Sequence, residues 1–266
     1  MMIIVRGAGD ISTGTIHRLF RAGFPVLALE TDQPSAIRRQ VAFSEAVYDG
    51  TMTVEGVTAV RITEAEEAEA ALEQGMVPLL VDPAGKSIRK MKPSIVVDAI
   101  LAKKNLGTCM EMAQMTIALG PGFEAGRDVD YVIETMRGHD LGRIIDCGCA
   151  MPNTGVPGMI AGYGAERVIH SPAAGVFRAR REISEDVQTG ETIGEVIARD
   201  GKRIPVKTEI PGILRGIIRD GFPVTKGFKL ADVDPRMEEK KNCFTISDKA
   251  RCIAGSVLEL CVRGPE

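Results

Sequence analysis

"VRGAGDISTG", residues 5–14, decides how this chain is read. The apolar run Ile3–Val5 leads through Arg6 into Gly7-Ala8-Gly9, and a helical pattern opens at Asp10. Strand, glycine turn and helix in that order resemble the start of a dinucleotide-binding βαβ unit, whose glycines permit a tight turn and close backbone approach. Ser12 stands at the third glycine position and is small enough to let helix meet strand. Glu30 ends the next apolar run, "PVLALE", at roughly the twenty-residue spacing where a carboxylate holds a ribose hydroxyl pair. Asp10 sits in the first turn, where the helix dipole stabilises it and where it would repel a phosphate. Two readings of the turn therefore stand: a nucleotide site, or the same fold without the nucleotide.

Working outward, "VTAVRI", "MVPLLVD" and "SIVVDAIL" are further apolar runs without polar alternation, and the acidic "TEAEEAEAALEQG" is an exposed helix. Buried strands separated by helices predict a doubly wound parallel sheet, a Rossmann-like α/β domain over residues 1–165. "NTGVPGMIAGYGAE" then reads as a connection out of that domain. Beyond it lies an internal repeat. "GVFRARREISEDVQTGETIGEV" from Gly175 and "GILRGIIRDGFPVTKGFKLADV" from Gly212 match Val187 with Val224, Gly190 with Gly227, Ile193 with Leu230 and Val196 with Val233. Such a duplicated β unit looks like a small all-β lipoyl/biotinyl-like (barrel-sandwich) domain over 166–235, whose halves interlock to bury their apolar faces. The tail, 236–266, ends in a helical pattern expected to pack on the body.

A formal net charge of -3 gives no basic footprint for nucleic acid or an anionic membrane surface. With no Trp and 4% aromatic residues, the core must be aliphatic and base-stacking platforms are disfavoured. The chain contains no apolar run of about twenty residues, so it is expected to be cytoplasmic. Its six cysteines are then expected to be mostly reduced.

Four further stretches carry candidate chemistry. In "DAILAKKN", Asp98, Lys103 and Asn105 follow the end of a buried strand, where ligands of open α/β sheets collect; a solvated loop lysine beside a capping asparagine is the alternative. "GPGFEAG" places Gly120, Gly122 and Phe123 in a loop whose N–H groups could form an anion nest, or simply turn the chain. His139 with Cys147 and Cys149 could handle a soft metal or a chalcogen, against the alternative of inert thiols on a strand edge. Lys202 falls between the repeat halves without the Met-Lys-Met context of lipoate or biotin attachment.

Together "VRGAGDISTG", "MTVEGVTA", "VVDAILAKKNLGT", "IALGPGFEAG", "VIETMRGHDLGR", "NTGVPG", "DVDPR" and "SDKARCIAG" resemble, in order, the YqeB-type accessory proteins of selenium-dependent molybdenum hydroxylases. The resemblance implies a maturation factor handling the molybdopterin cofactor or its selenium or sulfur ligand. It implies a nucleotide or molybdopterin dinucleotide as bound cofactor, a hydroxylase client and an XdhC-like partner, with homo-oligomerisation open. It also marks Asp10, Asp98, Lys103, Asn105, His139 and Cys149 as functional positions; Cys147 departs from the small residue expected there. On this reading Lys103, His139 and Cys149 carry the chemistry, and Gly7, Gly9, Asp10, Ser12, Glu30, Asp98, Asn105, Gly120, Gly122 and Phe123 hold a small anionic ligand. Two alternatives stand beside it: a nicotinamide-dependent oxidoreductase using Glu30, and a non-catalytic scaffold that docks the client through the β repeat.

Overall fold

Ile3–Arg6 is buried along its whole length, as a strand covered on both faces must be. The computed structural model describes residues 1–155 and 158–265, which fold into two compact units. Val156 and Pro157, inside the expected connection, lie outside the described residues.

Unit 1 comprises Met1–Pro34, Ala42–Thr154 and Ile246–Glu266. From β1 (Ile3–Arg6) the chain turns into α1 (Asp10–Arg21) and β2 (Val26–Glu30). The short α2 (Ala46–Asp49), the hairpin β3 (Thr51–Val54) and β4 (Val57–Ile62), and α3 (Ala68–Glu73) lead to β5 (Val77–Val81). Next come α4 (Lys86–Met91), β6 (Ile95–Asp98) and β7 (Met115–Leu119). The unit continues with β8 (Glu124–Ala125), β9 (Tyr131–Ile133), β10 (Ile144–Ile145) and β11 (Gly148–Cys149). Nine strands form one sheet in the order β10-β9-β7-β6-β1-β2-β5-β4-β3, while β8 and β11 pair separately. Pairing is parallel from β9 to β4, and antiparallel at both edges.

The expected doubly wound, Rossmann-like architecture is corrected by this sheet. Such a sheet has a helix in each crossover. Here β6 reaches β7 through a loop with a single 3₁₀ turn at Met110–Met112, and β7 reaches β9 through a glycine loop and β8. Asn105 explains the first of these. Its Oδ1 accepts from the N–H groups of Gly107 and Thr108 at 2.7 and 2.8 Å, and its Nδ2 donates to Thr108 O at 2.8 Å. A side chain that satisfies backbone locally competes with helix formation.

Unit 2 comprises Ser35–Val41 and Gly155–Thr245. Its strands are β12 (Val168–His170), β13 (Gly175–Ala179), β14 (Asp186–Val187), β15 (Thr192–Ile197), β16 (Arg203–Lys207), β17 (Gly212–Ile217), β18 (Pro223–Val224) and β19 (Lys229–Asp234). They form two four-stranded sheets, β12-β19-β17-β14 and β16-β15-β13-β18, over one apolar core that includes Phe177, Val196, Leu214 and Val233. The repeat halves exchange their short strands: β14 pairs with β17, and β18 with β13. The expectation of a small lipoyl/biotinyl-like (barrel-sandwich) domain over 166–235 is corrected as well. Residues 35–41 are part of this unit: Ile217 N donates to Ile37 O at 2.9 Å, and Arg38 Nη2 donates to Asn242 O and Thr245 O.

The segment 236–266 divides between the units. The 3₁₀ turns of Met237–Phe244 fall in unit 2, whereas α5 (Asp248–Arg263) falls in unit 1. Ser247 caps α5 by accepting from Ala250 N at 3.2 Å. Helix α5 lies against α1 so closely that a Cβ on Gly14 would be 2.8 Å from that of Ala250. Among the described residues, no helix is long and apolar enough to cross a membrane.

Candidate functional site

Gly7 has φ +96°, and a Cβ there would lie 2.8 Å from Ala99 O. The β1–α1 turn is therefore pressed, backbone to backbone, on the segment leaving β6, and only glycine permits both the conformation and the approach. Ser12 Oγ donates to Ala99 O at 2.7 Å and fastens α1 to the same segment. Thr13 Oγ1 donates to Ala8 O and accepts from Phe43 N, so residues 42–44 brace the turn from another direction. Helix α1 starts from Gly9 with no side-chain cap hydrogen bond.

Glu30 completes this turn. Its Oε2 accepts from Ala8 N at 2.7 Å and its Oε1 from Thr31 N at 2.8 Å. Burial pushes its carboxyl above the ordinary range, against the lowering effect of those two N–H donors. Both oxygens thus hold the protein's own backbone.

The next loop is anchored from beneath. Arg6 Nη1 donates to Thr108 Oγ1, which donates to Asp98 Oδ2 at 2.5 Å; Arg6 Nη1 and Asp98 Oδ2 are 3.7 Å apart. Arg6 and Asp98 are each 2% exposed, and burial raises the Asp98 carboxyl above its usual range. Above this anchor Lys103 takes φ +62°, and Lys103 and Lys104 are both exposed. The third loop meets the second directly: a Cβ on Gly122, at φ +112°, would be 2.7 Å from Lys104 N and Cα. Gly120 lies against Thr135.

The structure thus places Gly7, Gly9, Lys103, Asn105, Gly120 and Gly122 in three contiguous loops after β1, β6 and β7, with Asp10 and Ser12 in the first turn of α1 and Glu30 and Asp98 at the carboxyl ends of β2 and β6. Phe123 belongs to the same loop as Gly122, but its side chain is buried with Ala118, Val129 and Val132. Cys149, exposed on β11, is paired with Glu124 beyond that loop. His139 is exposed in a loop tied to α5, where Arg137 bonds Asp248 at 2.9 and 3.1 Å. Among the described residues no hydrogen bond joins His139 to Cys149, and no group of three or more His, Cys, Asp and Glu side chains could hold a metal ion.

Two residues that sequence reasoning missed stand beside the opening of α1. Lys249, in the first turn of α5, is half-buried, and burial lowers its pKa; Arg137 acts in the same direction, while Asp10, Glu134 and Asp248 oppose it. Glu134 accepts from Met136 N at 2.7 Å and from Met151 N at 2.8 Å, joining two chain segments. The one signal for Lys249 in the sequence is its place within "SDKARCIAG", a stretch that carried the family resemblance.

No family model matches the chain. It is 49% identical over 258 residues to the protein YqeB of Escherichia coli (strain K12), described as uncharacterized; the match covers 97% of this chain and 47% of that protein. This supports YqeB-family membership, and the chain spans about half the length of that relative. Among solved structures it aligns with a succinylglutamate desuccinylase/aspartoacylase of Rhodobacter sphaeroides at TM-score 0.29 and 15% identity, covering 88% of this chain and 85% of that one. An aspartoacylase family protein of Mesorhizobium loti aligns at TM-score 0.27 and 10% identity, covering 83% and 60%. The ectoine utilization protein EutE (DoeB) of Ruegeria pomeroyi aligns at TM-score 0.28 and 10% identity, covering 87% and 85%.

The functional expectations are corrected at this point. The aligned structures are of the aspartoacylase and desuccinylase kind, not Rossmann domains joined to a lipoyl-like barrel, nor molybdenum-cofactor or selenium maturation factors. Their TM-scores are too low to argue for a hydrolase. The nicotinamide reading needs Glu30 for a ribose, and each of its oxygens already accepts from a backbone N–H of the turn.

Proposed function

We propose that unit 1 binds a small anionic ligand at the carboxyl edge of its parallel sheet. The observation that carries this reading is the double glycine contact, Gly7 on Ala99 and Gly122 on Lys104, which locks three loops into one edge. The first-turn N–H groups of α1 point out of the helix without intrahelical partners, and the helix dipole favours an anion there. Lys103 and Lys104 supply exposed cations from the neighbouring loop. Asp10 would oppose an anion, and the nearby Lys249 offsets its charge.

Titration of the protein with inorganic pyrophosphate, followed by calorimetry and by amide NMR, tests this. Shifts concentrated at Gly9–Ser12 and Lys103–Lys104 are expected, with affinity falling as salt rises. The double change Lys103→Ala, Lys104→Ala should weaken binding by about tenfold, corresponding to about 1.4 kcal/mol. Absence of heat and of amide shifts at millimolar pyrophosphate would overturn the reading.

A further inference from the structure

The crossover from β6 to β7 leaves more than a missing helix. Between α4 and residues 107–114 unit 1 holds a cleft of about 890 Å³, within the size range of small-molecule pockets. An α-helix in this crossover would normally cover the sheet beside α4. In its place stands a loop held open by its own bonds: the Asn105 side chain on one side, and the buried Arg6–Thr108–Asp98 chain below.

The opposite wall is equally fixed. Asp82 Oδ1 accepts from Lys86 N at 3.0 Å, and Oδ2 accepts from Ser87 N and Ser87 Oγ at 2.7 Å each, which sets the first turn of α4. Gly85, at φ +66°, has Arg6 Nε 3.6 Å from where its Cβ would be. The cleft thus rests on the same buried arginine that anchors the far wall. Neither wall needs to form on binding, which reduces the ordering cost of association.

Its chemistry is two-sided. Ala84, Met112 and Ala113 give it accessible apolar surface over the buried Ile88 and Pro93, whereas Lys86, Arg89 and Lys92 line it with positive charge against the single carboxylate of Glu111. The exposed thiol of Cys109 also lines it and is hydrogen-bonded to Glu111. An apolar body would lie on the first set, and a negative head group would meet the second. We propose that this cleft is a binding site for a small organic anion, a phosphate or carboxylate ester or acid with an apolar body. Its lining includes none of Gly7, Gly122, Lys103 and Lys104 of the three-loop edge.

Cys109 provides the readout. The full chain is alkylated with iodoacetamide and each cysteine's rate is followed by peptide mass spectrometry. Millimolar phenyl phosphate or benzoate should slow Cys109 by about tenfold while Cys147 is unaffected. Whichever anion protects better assigns the head group. Phenol, the neutral counterpart, should protect little. Arg89→Gln with Lys92→Gln, both exposed positions, should abolish protection. Lys103→Ala with Lys104→Ala should leave it intact, which separates this site from pyrophosphate binding at the edge. Equal Cys109 rates with and without both anions would overturn the proposal, as would equal protection by phenol.

Discussion

Gly7 and Gly122 at the sheet edge of unit 1, and Gly190 and Gly227 in the turns of unit 2, all have φ between +78° and +112°. Their surroundings differ. A Cβ on either of the first two would strike neighbouring backbone at 2.7 to 2.8 Å, whereas one on either of the second two would meet nothing within 4 Å. The unit 2 glycines turn a chain; the unit 1 glycines let two loops touch. The repeat made the first kind visible as a periodic match, while the second kind depends on a partner far away in sequence. Two ion pairs give a second contrast, of burial. Arg6 with Asp98 in unit 1 is 2% exposed on each side, while Lys240 with Asp186 in unit 2 is half exposed on both sides at 3.0 Å.

The largest effect should come from breaking the buried member of that contrast. Asp98→Ala leaves Arg6 uncompensated in the core and should cost about 3–5 kcal/mol in urea unfolding. Asp186→Ala, which removes the exposed pair, should cost under about 1 kcal/mol. Equal costs would mean that water reaches Arg6 and that the anchor under the β6–β7 loop is not dry.

Next in size are the glycines. Gly122→Ala adds the strain of an L side chain at positive φ, about 1–2 kcal/mol, to a backbone clash of about 1–3 kcal/mol. Gly190→Ala adds only the first. A deficit of about 3 kcal/mol for Gly122→Ala against about 1 kcal/mol for Gly190→Ala is therefore expected in the same measurement. Amide NMR of Gly122→Ala should also show displaced signals at Lys103–Lys104, since the clash falls there. Matching stabilities would break the claim that the edge loops are locked together.

The same contrast explains what could be read from the sequence. "IIVR", "VLALE" and "IVVD" are strands of the covered centre of the sheet, where burial on both faces favours apolar runs, and "VTAVRI", nearer the edge, is a strand that exposes Arg61. The β unit repeats in order because each half needs the other's short strand. The crossover after Asp98 was not legible. "AILAKKN" carries helix-forming residues, and Asn105 diverts the chain by bonding its own backbone. At the site, glycine loops announced themselves, but that Gly122 rests on Lys104 is a non-local contact. Lys249 escaped for a similar reason. It reaches Asp10 only because α5 packs on α1 where Gly14 meets Ala250.

The smallest effect separates two acids by the sign of their pH dependence. Glu30 holds the β1–α1 turn of unit 1, and burial raises its carboxyl in the folded protein. Between the ordinary carboxylate range and that raised value the folded form binds more protons than the unfolded chain, so its contribution is full below the range and is lost as pH rises. Glu191, in a unit 2 turn, accepts from Gln188 N at 2.9 Å, and that bond lowers its carboxyl. Its contribution is present above the ordinary range and is lost as pH falls through the lowered value. Urea midpoints measured from about pH 3 to 7 should therefore decline less steeply with rising pH in Glu30→Gln than in the parent. Glu191→Gln should instead lose less stability on acidification than the parent does. Glu30→Gln also leaves one of Ala8 N and Thr31 N without an acceptor, a pH-independent loss of about 1–2 kcal/mol. A constant offset with unchanged slope would show that Glu30 braces the turn without being desolvated, and the turn would then be open enough for water to reach its carboxylate.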